Sequence, residues 1–260
     1  MLMPARRLGR QLRLVPALLV PTARAVGWVP ALAAFAVSLG LLALAVRSGL
    51  DATPAYLVRW VRLATIVAAL GCAFLLDDPS ETTTEGVAGS LLLRRILRAA
   101  LLLPATAAWW IAVVWRLRAV HPQVPLPIAA LTLEAAALFA GTLALGAVGS
   151  SLAPGRRGGV VAAPALLALA TVAFLLPARL ALYAPAGSAE WDGAHQRWKA
   201  LLGLVLAAFV LASRDPAHRR VPGPVRTLAR GHARRRVAAA RRTVVQPAEV
   251  TGRPGGSSMR

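Results

Sequence analysis

One carboxylate in this chain sits where carboxylates are costly. Glu134 falls inside an apolar run from about Leu126 to Val148. An ionised group at membrane depth is paired, faces the protein interior, or lines a path for something polar. Three arginines are placed to answer it. Arg179 lies near the end of the next apolar run, and an antiparallel hairpin brings it to comparable depth. Arg59 and Arg62, early in another apolar segment, are the rival partners. A second concentration of charge is Asp77-Asp78-Pro79-Ser80-Glu81-Thr82-Thr83-Thr84-Glu85, which holds four of the ten acids in the chain. It is followed by Leu91-Leu92-Leu93-Arg94-Arg95-Ile96-Leu97-Arg98. An adjacent acidic pair such as Asp77-Asp78 can hold magnesium when a substrate phosphate completes the site, as in prenyl transfer. That chemistry needs a second acidic motif, and none is present.

Other chemistries are absent by pattern. Gly155-Arg156-Arg157-Gly158 lacks the lysine and hydroxyl that a phosphate-binding loop requires. No His-Glu zinc motif and no Gly-x-Ser-x-Gly elbow occur. His121, His195, His218 and His232 show no ligand spacing. Cys72 is the single cysteine, so no intrachain disulfide can form. The expectation is a protein with no catalytic residues, no metal site and no cofactor.

The elements that position these charges are apolar helices. Hydrophobic residues make up 57% of the chain and charged residues 15%, against roughly 45–50% and 25% in soluble domains. Runs near 20 residues match a bilayer core about 30 Å thick. The expected fold is an all-α polytopic membrane protein of about six transmembrane helices, with an N-terminal interfacial helix and a basic cytoplasmic tail. The spans are expected at about 26–46, 56–76, 99–115, 126–148, 160–183 and 198–212, within a transmembrane domain of residues 26–213. Span 2 must start near Tyr56, because Leu63 to Leu76 alone is too short to cross. Residues 1–25 read as a basic amphipathic segment on the membrane surface. Leu91 to Arg98 reads as a short surface helix of the same kind, closing the loop 77–98. Pro164 and Pro177 should bend span 5. Ala137-x-x-x-Gly141 and Gly146-x-x-x-Ser150 place small residues one turn apart, a spacing that lets helices approach closely within the chain or in a dimer.

The net charge of +20 reflects topology here, and no nucleic-acid partner is expected. Arginines crowd the N-terminus, the loop 77–98, the 154–159 turn and the segment 214–260. Arg47, Arg59, Arg62, Arg116, Arg118, Arg197 and Lys199 make a smaller set on the opposite side. The positive-inside rule then places both termini and the acidic loop in the cytoplasm. The tail could lie on anionic lipid, although a solvated flank explains its charge more simply.

A basic entry helix, six spans, cytoplasmic termini and a short helix between spans 2 and 3 resemble the permease subunits of ABC-2 type exporters. More narrowly, Phe74-Leu75-Leu76-Asp77-Asp78-Pro79 followed by Leu92-Leu93-Arg94-Arg95-Ile96-Leu97-Arg98 is similar to a group of actinobacterial ABC transporter permeases. The resemblance implies a protein of the bacterial plasma membrane that pairs with a second permease unit, as a homodimer or heterodimer. It also implies a separate ABC ATPase chain docked on the cytoplasmic face. Contact and coupling would then fall to Asp77, Asp78, Pro79, Glu81, Arg94, Arg95 and Arg98, and ATP hydrolysis would belong to the partner. The competing readings are a non-transporting anchor or accessory subunit and, with less support, an integral-membrane enzyme acting on lipid or isoprenoid.

Overall fold

A computed structural model describes residues 23–24, 27–47, 53–76, 91–152 and 158–214, with the side chains of Leu76, Leu91, Arg94 and Leu152 excepted. The expected surface helix in residues 1–25, most of the acidic loop and the basic tail lie outside the described residues.

Among the described residues six long helices make up an all-α polytopic architecture: α1 Trp28–Arg47, α2 Pro54–Cys72, α3 Leu91–Val120, α4 Ile128–Leu152, α5 Gly158–Leu175 and α6 Trp191–Ala212. Short 3-10 turns follow α2 at Ala73–Leu76 and α5 at Ala178–Leu180. Helices α1 to α5 are each long and apolar enough to cross a membrane. Helix α6 has 22 residues, about 33 Å at the usual helical rise. Its first half carries Asp192, His195, Arg197 and Lys199 and is markedly more polar.

Local chemistry sets the helix ends. Thr53 caps α2 by accepting the Tyr56 amide on Oγ1 at 3.3 Å, and Pro54 occupies the first turn, where its missing N–H costs nothing. Span 5 is shorter than expected. It ends at Leu175, not Tyr183, because Pro177 disfavours helical geometry in the residue before it and offers no amide. Pro164 is held inside α5. Span 6 begins at Trp191, a full two turns before the expected Trp198. The expected surface helix 91–98 is not a separate element. It forms the first turns of α3, a continuous helix of 30 residues that runs on through Pro104. No glycine or proline interrupts Leu91 to Leu103, so nothing in the sequence separates the basic turns from the span.

Helices α2 and α4 lie at the centre. Helix α1 packs on α2, and α4 packs on α2, α5 and α6. Two close approaches rest on glycine. A Cβ on Gly71 of α2 would overlap Ala34 and stand 2.6 Å from the Pro30 carbonyl oxygen of α1. A Cβ on Gly158 of α5 would stand 2.6 Å from the Gly146 carbonyl oxygen of α4. The small residues of α4 therefore serve packing within the chain: Gly146 meets α5, and Gly141 faces Val205 of α6.

Aromatic side chains tie α1, α3 and α4 together. Phe35 stacks on Trp109 with ring centroids 5.9 Å apart, and Phe139 meets Trp109 edge-on at 5.7 Å. The Trp109 indole donates to Ser38 Oγ at 2.8 Å, which in turn donates to the Phe35 carbonyl. The outer faces are apolar. Leu103, Ile111 and Trp115 of α3, Leu167, Leu169 and Val172 of α5, and Leu204 and Leu206 of α6 are exposed. Such a band is a liability in water and a solvent face in hydrocarbon.

Candidate functional site

The buried charges among the described residues gather at two places, towards opposite ends of α4 and α6. The first lies near the starts of these helices. Arg62 stands roughly two turns into α2, Glu134 under two turns into α4, and His195 about one turn into α6. All three are buried. The Arg62 fork grips the Glu134 carboxylate with two bonds, Nε to Oε2 at 2.8 Å and Nη2 to Oε1 at 2.7 Å. The remaining arm, Nη1, donates to the Ala184 carbonyl at 2.9 Å. This bidentate arrangement is the strong form of the pair and suits arginine better than lysine. Tyr183 and Trp191 rings lie 5.2 Å and 5.6 Å from the Arg62 guanidinium carbon, which adds cation–π attraction at a buried guanidinium.

His195 closes the cluster. Its Nδ1 is 2.8 Å from the Trp191 carbonyl, and its Nε2 is 3.1 Å from Glu134 Oε1. The Nε2 approach is close but not aligned as a hydrogen bond. Burial pushes the Tyr183 phenol up; Glu134 acts in the same direction and Arg62 against it. The Tyr183 ring is stacked on Phe174 at 4.2 Å and meets Trp198 edge-on at 5.4 Å.

The connector between α5 and α6 is fastened across this end by side-chain donors. Arg197 donates to the carbonyls of Arg179 at 3.1 Å and Ala181 at 2.7 Å. Trp198 Nε1 donates to Leu182 O at 2.8 Å. With Arg62 on Ala184 O, four connector carbonyls accept from elsewhere in the bundle.

The partner of Glu134 is therefore Arg62. Arg179 is exposed in the 3-10 turn after Pro177, where the early end of α5 has carried it. Arg59 is exposed on α2. Sequence reasoning passed over His195, Tyr183 and Trp191, which were read as loop or span edge. One signal was available: Trp191, His195 and Trp198 recur at i, i+4 and i+7, one face of a helix.

The second place lies where α4 and α6 end. Arg95, in the second turn of α3, is buried. Its Nη1 donates to Ala212 O at 3.1 Å and reaches Ala147 O at 3.4 Å, and its Nη2 bonds Ser150 Oγ. A helix end leaves carbonyls without partners, and a cation is favourable there. Arg95 thus clamps the ends of two helices from a third. Arg98, one turn on, is also buried. Neither presents the open surface expected of a contact for another protein. The Arg94 side chain and Asp77, Asp78, Pro79 and Glu81 lie outside the described residues.

Among the described residues no group of three or more His, Cys, Asp or Glu side chains could hold a metal ion. Comparison with protein-family models, curated proteins and solved structures finds no match to this chain.

Proposed function

We propose that this chain is the membrane-spanning permease subunit of an ABC-type exporter, driven by a separate ATPase chain that docks on the cytoplasmic segment 77–98. The observation that carries the reading is the Arg95 clamp. Leu91 to Arg98 is continuous with a spanning helix, and Arg95 holds the ends of α4 and α6. A push on this segment has a rigid path to two further helices. Those same helices carry Glu134 and His195 at their other ends. Docking would then be separate from the clamp: Asp77, Asp78, Pro79, Glu81 and Arg94 are the proposed contacts, and Arg95 and Arg98 transmit. In this reading the termini are cytoplasmic, the membrane is a bacterial plasma membrane, and a second permease unit completes the pathway.

The test is copurification of the tagged chain from its native membrane with an ATPase, followed by measurement of ATP hydrolysis. The expected result is a bound ABC ATPase whose hydrolysis rises with this chain present. Arg94→Glu should weaken that association. A chain that copurifies with no ATPase, or leaves hydrolysis unchanged, contradicts the proposal and favours the anchor or accessory reading.

A further inference from the structure

His195 stands between two acceptors. The Trp191 carbonyl is 2.8 Å from Nδ1, and Glu134 Oε1 is 3.1 Å from Nε2. A neutral imidazole has one N–H and one lone pair. With the proton on Nδ1, an unprotonated Nε2 stands 3.1 Å from a carboxylate oxygen. With the proton on Nε2, the Nδ1 lone pair faces a carbonyl oxygen at hydrogen-bond distance. Either neutral tautomer beside an ionised Glu134 leaves one repulsive contact in a buried site, where such contacts are costly.

We propose that the Arg62–Glu134–His195 cluster is a proton-binding site inside the helix bundle, with one exchangeable proton shared by the neighbouring His195 imidazole and Glu134 carboxylate. Nδ1–H is committed to Trp191 O. The second proton rests on Nε2, as imidazolium beside carboxylate, or on Oε1, as a neutral pair; the proton count of the site is the same. It arrives from the aqueous phase at the end where α6 begins and leaves the same way, with nothing else consumed. With the proton in place α6 is tied to α4. Without it an unprotonated ring nitrogen and an ionised carboxylate stand 3.1 Å apart, and the contact that ties α6 to α4 is lost. Proton occupancy therefore sets how tightly α4 and α6 hold together at this end, whether or not an ATPase drives the protein.

Few other groups act on the site. From α2 comes Arg62, from α4 Glu134 itself, and from the connector Tyr183. On α6, Asp192 and Lys199 are exposed and Arg197 is turned to the connector carbonyls. Helix α5 contributes no ionisable side chain.

The test uses the full chain in liposomes with His121→Gln, His218→Gln and His232→Gln, which leaves His195 as the only histidine. Nitrogen-15 spectra are recorded at about pH 8, where a free imidazole is mostly neutral, together with infrared spectra of the carboxyl region. The expected result is an imidazolium signal from His195, or a protonated-carboxyl band that Glu134→Gln removes. A neutral His195 together with an ionised Glu134 at that pH overturns the proposal. The nitrogen-15 reading comes from a chain with Arg62, Glu134 and His195 intact, so it decides the protonation of His195 even where Glu134→Gln fails to fold.

Discussion

At the scale of single residues, the Arg62–Glu134 pair dominates. Each charge is buried, and each satisfies the other through two bonds. Removing one partner strands the other, which typically costs about 3–5 kcal/mol, whereas replacing both with apolar groups of similar volume is often neutral. Glu134→Gln or Arg62→Met alone should therefore lower thermal stability in micelles sharply, and Arg62→Met with Glu134→Leu should recover most of the loss. Equal damage from the single and double variants would show that the pair does not act as a unit. Trp109 permits a smaller test. Trp109→Phe removes the bond to Ser38 and keeps a ring against Phe35 and Phe139, so a loss of about 1–2 kcal/mol is expected. The sequence marked Glu134 as the residue needing a partner but did not single out Arg62. Both Arg62 and Arg179 were at plausible depth, and only the break at Pro177 removes Arg179.

At the scale of helices, apolar continuity made α1, α2 and α4 legible. Where it failed, charge was the reason. Asp192, His195 and Arg197 fell before the expected start of span 6, yet they open α6, and Lys199 follows within it. His195 turns to Glu134, Arg197 turns to the connector, and Asp192 and Lys199 face out. In α3 the arginines looked like a surface helix because a guanidinium was assumed to seek water. Arg95 found the carbonyl end of α6 and the last turns of α4 instead. Close packing was visible only as small-residue spacing, which an alanine-rich chain produces by chance. Gly71 makes it concrete: its missing Cβ lets α2 lie against Pro30 and Ala34 of α1. Gly71→Val must force the helices apart, at a cost of about 1–3 kcal/mol. Gly40, with nothing within 4 Å of its added Cβ, should accept Ala without loss. Paired melting curves of the two variants would show whether the α1–α2 contact is as close as described.

At the scale of the molecule, α4 and α6 are fastened at both ends, by Arg95 where they finish and by Glu134 with His195 near where they start. In the proposed coupling these two helices shift together, and Arg95 of α3 supplies one of the two fastenings. The most direct measurement of the proposed coupling is ATP hydrolysis by the copurified ATPase with full-length Arg95→Gln in liposomes. The account predicts that the ATPase still binds this variant, because Arg95 is buried and not a contact, while hydrolysis falls to the rate of the ATPase alone. Full stimulation by a bound Arg95→Gln chain would contradict it.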